Sequence, residues 1–192
     1  MGTNARVGFK DLHFALLSDE TDGSFTYETP EKISGAMTGT VTPGVNWANL
    51  YTDDSITETA QSMGVVEISL DVADLDPTSY ALLMGTEVNA DGAVIDNTSD
   101  KKPYGALGFR SERADGTYEY VWLLKGKFGV PEDSYSTKSE SIEFQSQTIA
   151  GRFVARSDGK WRARVVEGTE AAATDVIDTW FDDVYDAETA AA

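Results

Sequence analysis

Residues 65–73 read Val65-Val66-Glu67-Ile68-Ser69-Leu70-Asp71-Val72-Ala73, and their alternation decides the fold. In an extended chain Val66, Ile68, Leu70 and Val72 point one way while Glu67, Ser69 and Asp71 point the other. The pattern predicts a strand with one core face and one wet, acidic face. A second strand is expected over Ile33 to Thr42, with Ile33, Met37 and Val41 inward and Ser34, Thr38, Thr40 and Thr42 outward. A third is expected over Ser141 to Ile149, with Ile142 and Phe144 inward and Glu143, Gln145 and Gln147 outward. The three outward faces share one property: small polar or acidic groups and no base.

Outward from these strands, turn residues interrupt an alternating chain, which predicts a mainly β protein. Asp115-Gly116 and Asp158-Gly159 signal hairpins, the first joining Tyr104–Arg113 to Thr117–Lys125, the second Arg152–Arg156 to Trp161–Val166. Around residues 118–124 both faces are apolar, Tyr118, Tyr120, Trp122 and Leu124 against Val121 and Leu123, as in a central or helix-covered strand. Asp76-Pro77, the run to Met84 and then Gly85 read as N-cap, first-turn proline, short helix and C-terminal glycine. A second amphipathic helix is expected over Thr174 to Tyr185, with Val176, Ile177, Trp180, Phe181 and Val184 on one side. Between the first two strands, Pro43 to Met63 reads as a polar connection containing Trp47, Leu50 and Tyr51. Compact domains seldom keep one this long without a use, so an arm that contacts another molecule is expected.

Charge is sorted along the chain. Of the 15 Lys and Arg residues, twelve lie between Lys101 and Arg164, whereas residues 61–100 hold eight acids and no base, within a net charge of −18. A basic middle can dock on the acidic flank of a second copy, and exposed acids repel polyanions within a Debye length of about 8 Å. A hydrophobic fraction of 41% with 10% aromatics argues for a folded domain, and 192 residues suit one core. Met1 to Lys10 shows no signal-peptide pattern and no segment approaches the roughly 20 apolar residues that span a bilayer, so a soluble, non-membrane product is expected.

Catalytic chemistry finds no foothold. With no cysteine and a single histidine, His13, thiolate and polyhistidine metal sites are excluded, and His13 reads as a structural or interface residue. Adjacent acids such as Asp53-Asp54, Glu132-Asp133 and Asp182-Asp183 point to opposite faces of a strand. The Asp91 to Asp100 stretch lacks EF-hand spacing, and Gly105-Ala106-Leu107-Gly108 lacks the Lys-Ser/Thr of a phosphate loop. Arg152, Arg156, Lys160, Arg162 and Arg164, with Phe153 and Trp161, have the makings of a nucleic-acid platform, but the net charge opposes it. No enzyme activity, cofactor or metal is expected.

Tyr104-Gly105-Ala106-Leu107-Gly108-Phe109-Arg110, the hairpin Asp115 to Trp122, Lys125-Gly126-Lys127-Phe128 and Thr148-Ile149-Ala150-Gly151-Arg152-Phe153 together carry a resemblance, as does the opening Gly8 to Ala15. The chain resembles the major tail protein family of long-tailed, non-contractile bacteriophages. The order of strand, extended loop, strand and short helix fits that family too. The stretch after Glu167 does not match. The resemblance implies a β-sandwich or barrel-like tail tube domain over residues 1–167, with its arm at 43–63 and a C-terminal helical appendage at 168–192. It implies hexameric rings stacked into a tube, with tape measure, tail terminator and distal tail proteins as partners. The location would be the virion tail, reached from the host cytoplasm. DNA would pass without specific binding through a lumen lined by Thr38, Thr40, Glu67, Ser69, Asp71, Glu143, Gln145 and Gln147. Trp47, Leu50, Tyr51, Asp53 and Asp54 would form the inter-ring arm, and Arg110, Arg152, Arg156, Arg162 and Arg164 would meet acids across subunit boundaries. Two alternatives are a β-sandwich binding module for carbohydrate or protein, stacking ligand on Trp47, Tyr51, Trp122 and Trp161, and a phage decoration protein.

Overall fold

The computed structural model describes residues 5–21, 23–52, 55–133, 146–168 and 173–186. The protein is mainly β, with nine antiparallel strands and two short helices among the described residues. In chain order they are β1 (Lys10–Thr21), β2 (Ser24–Tyr27), β3 (Glu31–Ile33), β4 (Ala36–Thr52), β5 (Ser55–Val72), α1 (Pro77–Met84), β6 (Gly105–Glu112), β7 (Tyr118–Phe128), β8 (Gln147–Phe153), β9 (Arg162–Val166) and α2 (Ala173–Asp178). The sheet runs β2-β1-β6-β7-β8-β5-β4, with β3 added beside β1 and β9 beside β7.

The alternation of residues 65–73 holds: Val66, Ile68, Leu70 and Val72 are buried, and Glu67 and Ser69 are exposed. The sheet curls so that these residues meet Leu12, Phe14, Leu107, Leu123, Phe128 and Phe153 in one core, closed at one end by Leu83 and Met84 of α1. Gly39 marks where the curl brings β4 against the N-terminal segment, because a Cβ there would lie 2.7 Å from Phe9 Cζ. Helix α1 is capped as its sequence predicts. Asp76 Oδ1 accepts from the backbone N–H groups of Thr78 (3.0 Å) and Ser79 (2.9 Å), and Gly85 ends the helix at φ 70°.

Both faces of β7 are covered. Val121 and Leu123 face the main core side, while Tyr120, Trp122 and Leu124 form a second cluster with Ala106 and Trp180. That outer cluster is roofed by residues 173–186, and Trp122 Nε1–H donates to the Trp180 carbonyl at 3.0 Å. The expected helix over Thr174 to Tyr185 is shorter: α2 stops at Asp178 and tightens into turns. Asp178, Asp182 and Asp183 would crowd the negative end of a longer helix, and no base in the last turn offsets them.

Three further expectations are corrected. Ile33 to Thr42 is not one strand, since Ser34-Gly35 makes a turn with Gly35 at φ 80°, and Met37 is 56% exposed beyond it. Residues 43–52 and 55–63 are not a loop, because β4 and β5 stay paired along them as a long hairpin. Asp158-Gly159 makes a tight turn between Arg156 and Lys160, yet the flanking strands pair with β7 in succession along one edge. The third expected strand begins, among the described residues, at Gln147; Ile142, Glu143, Phe144 and Gln145 lie outside them.

Candidate assembly surfaces

Register assembles the outward face of β4, β5 and β8 row by row. Thr38 pairs with Asp71 and Asp71 with Thr148; Thr40 with Ser69 and Ser69 with Ala150; Thr42 with Glu67 and Glu67 with Arg152. Directly paired residues share a face. Asp71 accepts from Thr38 Oγ1 (2.5 Å) and Thr148 Oγ1 (2.8 Å), and these bonds hold its carboxyl below the usual carboxylate range. The negative charge at this row is therefore fixed in place by its neighbours.

Two readings of this face change. Gln147 pairs with Val72, on the core side, and donates from Nε2 to Asp133 Oδ1 at 2.7 Å; Thr148 takes the outward place beside Asp71. The alternation Ile149, Gly151, Phe153 carried that signal, since it sets the odd residues inward. The face also has bases at one end. Arg152 reaches Glu67 at 3.3 Å, and Lys102 and Lys127 join them around a shallow groove of about 510 Å3. Acid and hydroxyl rows thus give way to a mixed row. Glu143 and Gln145 lie outside the described residues.

The hairpin distal to Pro43 is sided. Val45 pairs with Met63, Trp47 with Gln61 and Tyr51 with Ile56, so five large apolar groups share the side that continues the core face of β4. The reverse side carries Asn46, Ala48 and Leu50 opposite Ser62, Ala60 and Glu58. All five remain in solvent, with Trp47 65% and Tyr51 64% exposed. At the root the register shifts between Pro43 and Val45, where a Cβ on Gly44 would lie 2.5 Å from the Val65 carbonyl oxygen. Eight residues, Val45 to Thr52, extend the ribbon by roughly 25 Å. Asp53 and Asp54 lie outside the described residues.

The five expected interface arginines separate into four environments, the first being that of Arg152 beside Glu67. Arg110 binds Asp11 at 2.6 Å and stacks on Tyr118, its guanidinium 4.6 Å from the ring centre. Arg162 and Arg164 stand with Arg6 about Glu119, which is 3% exposed and accepts from Arg6 Nε at 2.7 Å. The Arg6 guanidinium, against the opposing cost of burial, holds the Glu119 carboxyl below its ordinary value. Arg156 is a correction. It is 3% exposed, binds Asp158 (2.6 Å) and Asp186 (2.8 Å), and lies 3.9 Å from the Phe25 ring centre, so it offers no surface to a second copy. Burial opposes its charge, but hydrogen bonds to Asp158, Tyr27 and Asp186 raise the guanidinium above its ordinary value.

His13 donates from Nδ1 to the Asp11 carbonyl oxygen (2.9 Å) and stacks on Phe181 at 4.3 Å. Among the described residues no cluster of three or more acids and histidines could hold a metal ion. Among them, too, no helix is long and apolar enough to cross a membrane. No protein-family model matches the chain, and no curated protein matches it.

Proposed function

We propose that the chain is a structural subunit of a phage tail tube, built from hexameric rings stacked around an acidic channel through which DNA passes. The observation that carries this reading is the hairpin: an apolar side of Val45, Trp47, Tyr51, Ile56 and Met63 held clear of the body in solvent. Exposed apolar patches of this kind mark contact surfaces, and a rigid ribbon presents one at little entropic cost. The outer edge of β4, unpaired among the described residues, supports it, because an open edge 17 residues long invites pairing with another strand, and closure into a ring removes it. The Thr38–Asp71–Thr148 row then supplies a lining that does not hold phosphates, since each base on such a surface would release counterions and bind, whereas Lys102, Lys127 and Arg152 beside the Thr40–Ser69 row would have to face acids of neighbouring copies. Trp122 is fully buried, which removes one of the four stacking residues a carbohydrate module would use.

Negative-stain electron microscopy of the purified chain at rising concentration tests the reading. Rings or tubes are expected, and replacing Trp47, Tyr51 and Ile56 with serine should leave dispersed, folded monomers. Wild-type protein that stays monomeric at every concentration, with or without chemical cross-linker, would reject it.

A further inference from the structure

The curled sheet is open at the end from which the hairpin leaves. There a groove of about 380 Å3 has an apolar floor of Phe9, Val41, Phe109 and Val121 and a rim of Arg6 and Arg162. Glu119 is the sole acid lining it among the described residues. Pairing of Arg162 with Leu123 and Arg164 with Val121 sets both arginines on the same inward side of β9. Arg6, Arg164 and Arg113 all act on the one Glu119 carboxylate. Burial first, and then the like charge of Arg164, lower the Arg162 guanidinium from its ordinary value. Positive charge is therefore in excess at this mouth.

At the far end of the same strands the charge reverses. Six residues of β5 separate Val66, beside the mouth, from Val72, a run of about 20 Å. Beyond Val72 come Asp74, Asp76, α1 and the loop holding Glu87, Asp91 and Asp96. All five acids are exposed, and no Lys or Arg occurs from residue 61 to residue 100. The bases near this end, Lys10, Lys32 and Arg110 beside Ala36, are held by Glu112 and Asp11, so the exposed acids of α1 and its loop set its charge, opposite in sign to the groove.

We propose that the arginine-rimmed groove receives the acidic α1 end of a second copy, so that copies join head to tail. The inference rests on the self-assembly reading above and adds the two surfaces that meet and the force that orients them. Complementary ends favour one polarity of stacking, because turning a copy over places like charges together. A heterologous contact of this kind propagates without closing on itself.

The absence of cysteine makes the test clean. Val41→Cys, in the groove, and Ala93→Cys, in the acidic loop, leave every charge in place. Mixed full-length chains should give 41–93 cross-links with a short bifunctional maleimide, well above 41–41 and 93–93 products. Adding Arg162→Glu and Arg164→Glu to the first chain should cut the 41–93 yield about tenfold. Adding Glu87→Lys and Asp91→Lys to the second should restore it. Only 41–41 or 93–93 products, or a 41–93 yield indifferent to both charge reversals, would overturn the proposal. If rings form without the 41–93 product, the head-to-tail contact is wrong and the tube reading stands. If the product forms only in open dimers and chains, the contact stands and the tube reading falls. Retention of duplex DNA by wild-type protein, lost in Arg162→Glu/Arg164→Glu, would reassign the groove to nucleic acid and overturn the proposal.

Discussion

Residues 43–63 and residues 173–186 are alike in composition and opposite in fate. Each is acidic, lacks any base and carries Trp and Tyr outside the main core. The C-terminal segment buries its tryptophan, Trp180, to 2% exposure, whereas the hairpin leaves Trp47 at 65%. The difference lies in what each is offered. The outer face of β6 and β7 presents Ala106, Tyr120, Trp122 and Leu124, and the C-terminal segment roofs it. Among the described residues the hairpin has its own partner strand alongside and no further strand to receive it. One apolar surface is satisfied within the chain, and the other stays in solvent among the described residues.

Substitution of the two tryptophans is the sharpest way to break this contrast. Trp180→Ala should destabilise the isolated chain by about 4 kcal/mol, as large-to-small changes at fully buried aromatics do. Trp47→Ala should change stability by less than about 0.5 kcal/mol and yet abolish assembly. Urea unfolding of monomer paired with electron microscopy reads both, and equal losses of stability would erase the distinction.

Arg156→Ala comes next, at about 3 kcal/mol, because it removes the buried cation that joins Asp158 to Asp186 and leaves them the more distant Lys160, at 3.4 and 3.5 Å. Since Asp186 belongs to the C-terminal segment, that segment should lose hydrogen-exchange protection before the main core does. Hairpin amides should exchange at the wild-type rate. On the other side of the comparison, Gly44→Val should cost about 1–3 kcal/mol locally, its Cβ pressing on the Val65 carbonyl. Its effect should appear as faster exchange across residues 45–63 and weaker assembly, with the unfolding midpoint of the body little changed.

The residues that were legible in the sequence are those whose neighbours repeat a local rule. Val66 to Val72 alternate, Asp76-Pro77 and Gly85 bracket a helix, and residues 118–124 advertise two apolar faces; the structure agrees with each. The hairpin reads as a loop because Pro43-Gly44 and Asn49-Leu50 interrupt the alternation of Val45, Trp47 and Tyr51, and its Thr, Asn and Ser residues pair as readily as apolar ones. The sequence does not reveal the place of Arg156, because Asp186, one of its two acids, is thirty residues away, a contact no spacing shows. Asp158-Gly159 reverses the chain but does not choose the strand it pairs with. That choice falls to β7, whose remaining edge accepts β8 and then β9. Counting from Ile142 sets Gln147 outward, whereas counting from Ile149 and Phe153 sets it inward, as the structure has it.

The smallest expected effect isolates the seam between the body and its C-terminal roof. His13 of β1 stacks on Phe181, half-buried, and burial first, then the Lys32 charge, lower its folded pKa below the ordinary histidine value; the Asp11 carbonyl and carboxylate act in the opposite sense. A histidine depressed on folding contributes stability that is complete above its unfolded pKa, about 6.5, and is lost as pH falls through the folded value, because the unfolded chain binds the proton first. Lowering pH from 7 to 5 should therefore weaken wild-type protein, by less than about 1 kcal/mol. Carboxylates titrate mostly lower, with Asp11 and Glu119 both held below their ordinary range, so the window belongs largely to this group. His13→Phe keeps the stack and removes the proton, and should flatten the stability profile between pH 5 and 7. The hairpin has no histidine, so its exchange rates, corrected for the intrinsic pH dependence, should stay constant across the same range. A profile with the same slope in both proteins would place the acid sensitivity elsewhere and detach His13 from the roof.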